Sequence, residues 1–216
     1  MKNTLPRPRF FLGVACALLL LHSPALRADT IAEFTAGTAP LNAPNTAPLY
    51  IGQSFTTTNT MPVNNVAFNF FEFNGLNTTP FALGTGYLFT APLGLLATPA
   101  SLGSQPGLLG SAMASGGFYT FAPSLTLQPS TQYFFYADAL FPANSISVGL
   151  VALGQVYAGG DLYASPENNL PFVRDIAQDA NFRVTATVVP EPSTYATLVA
   201  GSMLLLGLRR WVGRKG

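Results

Sequence analysis

The chain has 216 residues, 49% of them hydrophobic and only 9% charged, with ten Lys and Arg against nine Asp and Glu. That balance averages unlike parts: residues 29–189 hold two cations, Arg174 and Arg183, against eight carboxylates, a net charge of −6, while both ends are basic. So acidic a segment has nothing to neutralise phosphates with, which excludes nucleic acid as a partner. The only Cys (Cys16) and the only His (His22) precede residue 29, which excludes disulfides, Ser-His-Asp or Cys-His catalysis and a His- or Cys-based zinc site from the middle of the chain.

The N-terminus has the three parts of a secretory signal peptide. Lys2, Arg7 and Arg9 form a positive region, and Phe10 to Leu21 is a twelve-residue apolar run. That run is shorter than the roughly 20 residues a spanning helix needs. Cleavage after Ala28 would make Asp29 the new N-terminus, although Leu26 is larger than the usual small residue at its position. Two alternatives stay open: an uncleaved anchor helix, and lipidation at Cys16. Against lipidation, Gly13-Val14-Ala15 has no leading Leu.

Residues 29–189, about 160 in number, suit one domain with a sizeable core. Strand signals dominate. Val63 to Phe73 starts with Val66, Phe68 and Phe70 in phase, then places Phe71 and Phe73 on the opposite face, which predicts a bulge or burial on both sides. Thr131 to Ala139 puts Tyr133, Phe135 and Ala137 on one face, and Asn181 to Val189 alternates Phe182, Val184, Ala186 and Val188 against Arg183, Thr185 and Thr187. Further strands are predicted at Tyr50 to Thr57, Gly86 to Thr90, Phe118 to Phe121, Ile146 to Leu153 and Gln155 to Tyr163. Leu93 to Ser115 reads as a long loop or loosely paired hairpin, and Arg174 to Ala180 as a short helical turn. Eight to ten short strands separated by Gly, Pro and Asn predict an all-β fold, an antiparallel β-sandwich or jelly-roll-like domain.

The acids are the remaining source of chemistry. A glycosidase needs only two carboxylates, and Glu72, Asp138, Asp161 and Glu167 are candidates. Eight scattered acids supply such pairs by chance, so solvated loop carboxylates are the simpler reading, and no enzyme is expected. Calcium needs only hard oxygens from loops. Asp175, Asp179 and Asn181 form one weak candidate cluster, and Asp161 with Glu167 or Asn168 another. Neither has a 12-residue calcium-loop spacing. The mature segment has no Trp, so its many Phe residues are expected in the core. Tyr157 and Tyr163, flanking Gly159-Gly160-Asp161, are the candidate carbohydrate contacts. Asn77-Thr78-Thr79 fits a glycosylation sequon.

The chain ends VVPEPSTYATLVAGSMLLLGLRRWVGRKG. Pro190-Glu191-Pro192 is a stiff triplet, because each Pro fixes its own φ and restrains the residue before it. Ser193 to Leu208 is sixteen residues without a charge. As a single transmembrane helix (193–208) it would span about 24 Å of a roughly 30 Å hydrocarbon core, extended by Trp211 and a snorkelling Arg209. Arg209, Arg210, Arg214 and Lys215 form a basic stop that keeps this end in the cytoplasm and the middle domain outside.

These three elements, in this order at the end of a chain, resemble the PEP-CTERM sorting signal. Pro190, Glu191 and Pro192 match its namesake motif, and the resemblance covers residues 190–216. It implies an exosortase, an integral-membrane cysteine protease or transpeptidase, that recognises the triplet and removes the tail. It also implies a Gram-negative host that makes exopolysaccharide. The strand order, with Gly52-Gln53-Ser54-Phe55-Thr56-Thr57 early and a Phe-Arg-Val strand running into the tail, is loosely similar to the β-sandwich domains found upstream of such tails. The expected organisation is a signal peptide at 1–28, a β-sandwich domain at 29–189 and a sorting signal at 190–216. Expected partners are signal peptidase, exosortase, the membrane before cleavage and extracellular polysaccharide. Expected roles are structural or interactive in an exopolysaccharide matrix, or alternatively a lectin-like glycan-binding module using calcium. A permanent single-pass anchor is the plainer reading of the tail.

Overall fold

The computed structural model describes residues 27–37, 39–40, 48–73, 78–142, 145–150, 157–176, 178–189 and 201. Fourteen strands lie among them. They are β1 (Asp29–Phe34), β2 (Ala39–Pro40), β3 (Tyr50–Thr56), β4 (Val63–Phe71), β5 (Pro80–Phe81), β6 (Thr85–Phe89), β7 (Leu108–Ser115), β8 (Phe118–Thr120), β9 (Gln132–Ala137), β10 (Ser147–Leu150), β11 (Leu162–Ser165), β12 (Val173–Asp175), β13 (Gln178–Ala180) and β14 (Phe182–Val188). A 3-10 helix, Pro99–Ser104, lies between β6 and β7.

The strands with clean alternation form as their sequences require. In β14, Phe182, Val184 and Ala186 are buried, while Arg183 and Thr185 are partly exposed. In β9 both faces are buried: Tyr133, Phe135 and Ala137 join the main core, and Phe134 and Tyr136 a second cluster on the other face. In β4 the phase break at Phe71 reflects burial on both sides, and a bulge lies upstream of it. Asn65 has φ of +51°, and the pairing with β14 slips by one residue between Thr185 and Thr187, so β4 carries a bulge there. Beyond it Phe68, Asn69, Phe70 and Phe71 are all buried. Phe71, on the outer face, lies under the Arg183 guanidinium at 5.2 Å.

All pairings are antiparallel. Ten strands follow the order β1-β14-β4-β8-β7-β6-β9-β3-β11-β12, with β5 added to β4, and β13-β10-β2 form a separate small sheet. The large sheet curls into a half-barrel. Although β8, β7 and β6 separate β4 from β9, Phe68 stacks on Phe135 at 3.9 Å between ring centroids, 8° from parallel. Phe55 of β3 likewise meets Phe182 of β14. The antiparallel all-β expectation is met, and the faces that meet belong to one continuous sheet. The core between them is a lattice of phenylalanines, and burying each contributes about 1.5–3 kcal/mol.

Several expectations need correction. Arg174 to Ala180 is not helical: it contributes β12 and β13, separated by a bend at Ile176, because backbone and side-chain partners on other strands capture both pieces. Of the strand expected at Gln155 to Tyr163, residues 155 and 156 lie outside the described residues, residues 157–160 turn, and β11 begins at Leu162. Leu93 to Ser115 is not one loop. It crosses the outer face of β9, inserts Leu102 into the second cluster, and ends in β7, which pairs with both β6 and β8. No described helix is long and apolar enough to cross a membrane. Residues 1–26, most of the expected signal peptide, and the 193–208 run lie outside the described residues, apart from Gly201.

Candidate functional site

The acidic candidates lead to a polar knot beneath β3. Gln53 shares the inward face of β3 with Ile51 and Phe55 and is fully buried. Its Nε2 donates to Asp179 Oδ1 at 2.8 Å and to the Ser54 carbonyl at 3.0 Å, and its Oε1 accepts from the Ala180 amide at 3.0 Å. Asp179 of β13, also fully buried, accepts from the Tyr157 amide at 2.9 Å through Oδ2. Tyr157 continues the chain of contacts. Its hydroxyl donates to the Thr56 carbonyl at 3.2 Å, and its ring packs edge-on against Phe182 at 5.1 Å.

Burial pushes the Asp179 carboxyl up to about 6, and the Asp161 and Asp175 carboxylates add to the rise. The donors from Gln53 and Tyr157 hold it back, because they favour the charged form. This arrangement satisfies buried polar groups and stitches the small sheet to the large one. Asp179 aims both oxygens at protein donors.

The other two weak calcium candidates lie elsewhere. Asp161 forms a 2.8 Å ion pair with Arg174 of the neighbouring strand β12. Asp175 ends β12, in register with Leu162. Among the described residues no group of three or more His, Cys, Asp and Glu is arranged to hold a metal. Gly160, just before Asp161, is required where it stands: a Cβ there would overlap the Ser54 backbone.

The remaining candidates are also committed. Asp138 accepts from the Thr85 amide at 2.6 Å and from the Tyr87 hydroxyl at 3.3 Å, fixing the start of β6. Glu167 is exposed in the loop after β11. Glu72 follows β4 and bridges through its backbone to Ile146. Tyr163 sits in the second cluster against Tyr136 at 5.3 Å. Tyr157 is partly buried, packed against the main core with its hydroxyl on the Thr56 carbonyl.

One open cleft, of about 260 Å³, lies where β1 starts and β14 ends. Ile31, Val63, Ala186 and Val188 form its floor, with Asp29 and Asn59 among the polar groups on its rim. It falls just below the usual ligand-pocket range of about 300–1,000 Å³. Ala28 is exposed immediately before β1, and Asp29 pairs with Ala186. Pro190, Glu191, Pro192, Arg209 and Arg210 lie outside the described residues.

Sequence reasoning missed the Gln53–Asp179 knot. A signal was present: Gln53 interrupts an inward face otherwise set by Ile51 and Phe55. A polar residue at such a position must find a buried partner.

No family model, no curated protein and no solved structure matches this chain.

Proposed function

We propose that this is an exported protein of the cell surface or extracellular matrix, cleaved after Ala28 and sorted through Pro190-Glu191-Pro192 by an exosortase. In this reading the folded domain has a structural or interaction role in an exopolysaccharide matrix and is not an enzyme. The observation that carries it is the ordered chain end: triplet, sixteen-residue uncharged run, then a basic cluster. Two features of the domain fit the role. Its buried Gln53 and Asp179 are engaged with each other, and its core is built from packed aromatic rings, with no cysteine from residue 29 onward to form a disulfide. We read the facing halves of the curled sheet as a sandwich-like variant of the domains that precede such tails.

The second reading, a calcium-dependent lectin-like module, is less favoured. Of its aromatic candidates Tyr163 is buried and Tyr157 only partly exposed, and Asp161 and Asp179 are held by protein partners.

The test is the double variant Pro190→Ala with Glu191→Ala, expressed in the native host. It should remain in the membrane with its tail while the unaltered chain loses its own. Equal release of both would refute recognition of the triplet.

A further inference from the structure

The strand register places the two ends of the domain's chain together. Asp29 of β1 pairs with Ala186 of β14, and Val188 with Val63. The Val189 amide still donates to the Pro62 carbonyl at 2.9 Å. The chain therefore enters and leaves the domain side by side, on adjacent strands at one pole. The same pole gathers loop 57–62, loop 122–131 and turn 157–160. Val63 bonds to Leu127, Thr57 to Thr131, and the Thr56 hydroxyl to the Gly159 carbonyl at 2.8 Å.

Two observations bear on what this pole faces. The first is length. Only Pro190, Glu191 and Pro192 separate Val189 from the uncharged run that starts at Ser193. Even fully extended, Val189 to Ser193 covers no more than about 14 Å. Because Val189 is still bonded into the sheet, no slack exists upstream.

The second observation is charge. Loops 57–62 and 122–131 and turn 157–160 contain no Lys, Arg, Asp or Glu. At the entry of the chain the Asp29 carboxylate stands beside the α-amino group that cleavage after Ala28 leaves on the same residue. The nearest other carboxylates are Asp161, which directly follows the turn and is paired with Arg174, Asp175 at the end of β12, and Asp179, which is fully buried against the Tyr157 amide. The opposite pole is acidic: Glu72 follows β4, Asp138 follows β9, and Glu167 lies between β11 and β12. In a domain of net charge −6, the pole nearest the tail is thus the one that anionic headgroups do not repel.

We propose that the uncharged pole formed by loops 57–62 and 122–131 and turn 157–160 rests on the phospholipid surface while the tail is in place. The acidic pole then points away from the bilayer. The inference rests on the anchored reading of residues 193–208 given above. It adds that the domain does not swing freely on its tether: the three-residue connection holds one defined surface against the headgroups, and that surface becomes exposed only when the tail is removed.

The test uses the chain from Asp29 to Gly216, the form that cleavage after Ala28 leaves and one without cysteine, reconstituted in vesicles of phosphatidylethanolamine and phosphatidylglycerol. A fluorophore is placed on Thr60→Cys or on Glu167→Cys, both at exposed positions. A lipid with a spin-labelled headgroup should quench most of the emission at position 60 and none at 167. Twelve Gly and Ser residues inserted between Val189 and Pro190 should abolish the difference. Equal quenching at both positions, or a difference that survives the insertion, overturns the proposal while leaving the anchored reading intact. Stronger quenching at 167 reverses the assignment of poles. A chain that does not float with the vesicles refutes the anchored reading, and this inference with it.

Discussion

Asp179→Asn tests the buried knot through the pH dependence of stability. Asp179 is fully buried, and its carboxyl is pushed up to about 6 from an ordinary value of 3.8. The unfolded chain releases this proton near the ordinary value, whereas the folded chain holds it until about 6. Between these two values the folded state binds more protons, so stability falls as pH rises. A rise of about two units corresponds to roughly 3 kcal/mol, present below pH 4 and lost by about pH 7. For a domain of about 160 residues that is a loss of about 6–12 °C in Tm. Asn fills the same space and does not titrate, so its stability should be flat across this window. It presents an N–H toward the donors from Tyr157 and Gln53, so at pH 4 it should be about 1–3 kcal/mol less stable than the parent. By pH 7 the gap should close or reverse, because the parent then carries a buried charge. Urea unfolding of residues 29–189, followed by near-ultraviolet circular dichroism of the tyrosines, measures both curves. A parent whose stability rises between pH 4 and 6, or an Asn variant that keeps the parent's slope, would refute the assignment.

Phe68→Ala should be far more damaging. Phe68 is fully buried and touches rings from β3, β9 and β14 at once, so the loss should be about 3–5 kcal/mol, read as a fall in the urea midpoint. Calcium should do little to the domain. A site with Kd near 10 μM would add about 2.7 kcal/mol in 1 mM calcium, so a Tm that moves on chelation would contradict the commitment of Asp161 and Asp179 to protein partners.

Strands whose burial is set by their own alternation were legible. β14 and β9 announce themselves because Phe182-Val184-Ala186 and Tyr133-Phe135-Ala137 recur every second residue. The two-sided burial of β4 was legible too, since Phe71 breaks phase with Phe70, whereas its bulge lies upstream at Asn65, where no phase break marks it. Strands defined by their partners were not legible. β12 (VRD) and β13 (QDA) are polar and three residues long, and β13 is held by Gln53, 127 residues from Ala180. In β1, Ile31 and Ala32 are both buried because the pairing with β14 slips between Thr30 and Ala32, which hides the alternation. The small residues of β7 give no apolar period. Among the acids, the sequence located Asp161 and Asp179 as residues of interest. Their roles, an ion pair with Arg174 and a buried link to Gln53, depend on contacts that spacing along the chain does not encode.

The central claim concerns processing, and the intact mass of the protein recovered from membrane and medium of its native host tests it most directly. A mass lacking residues 1–28 and everything beyond the Pro190–Pro192 region is the predicted result. A membrane-bound species that still carries Trp211 and Gly216, with none released, would make the tail an ordinary anchor and contradict the account.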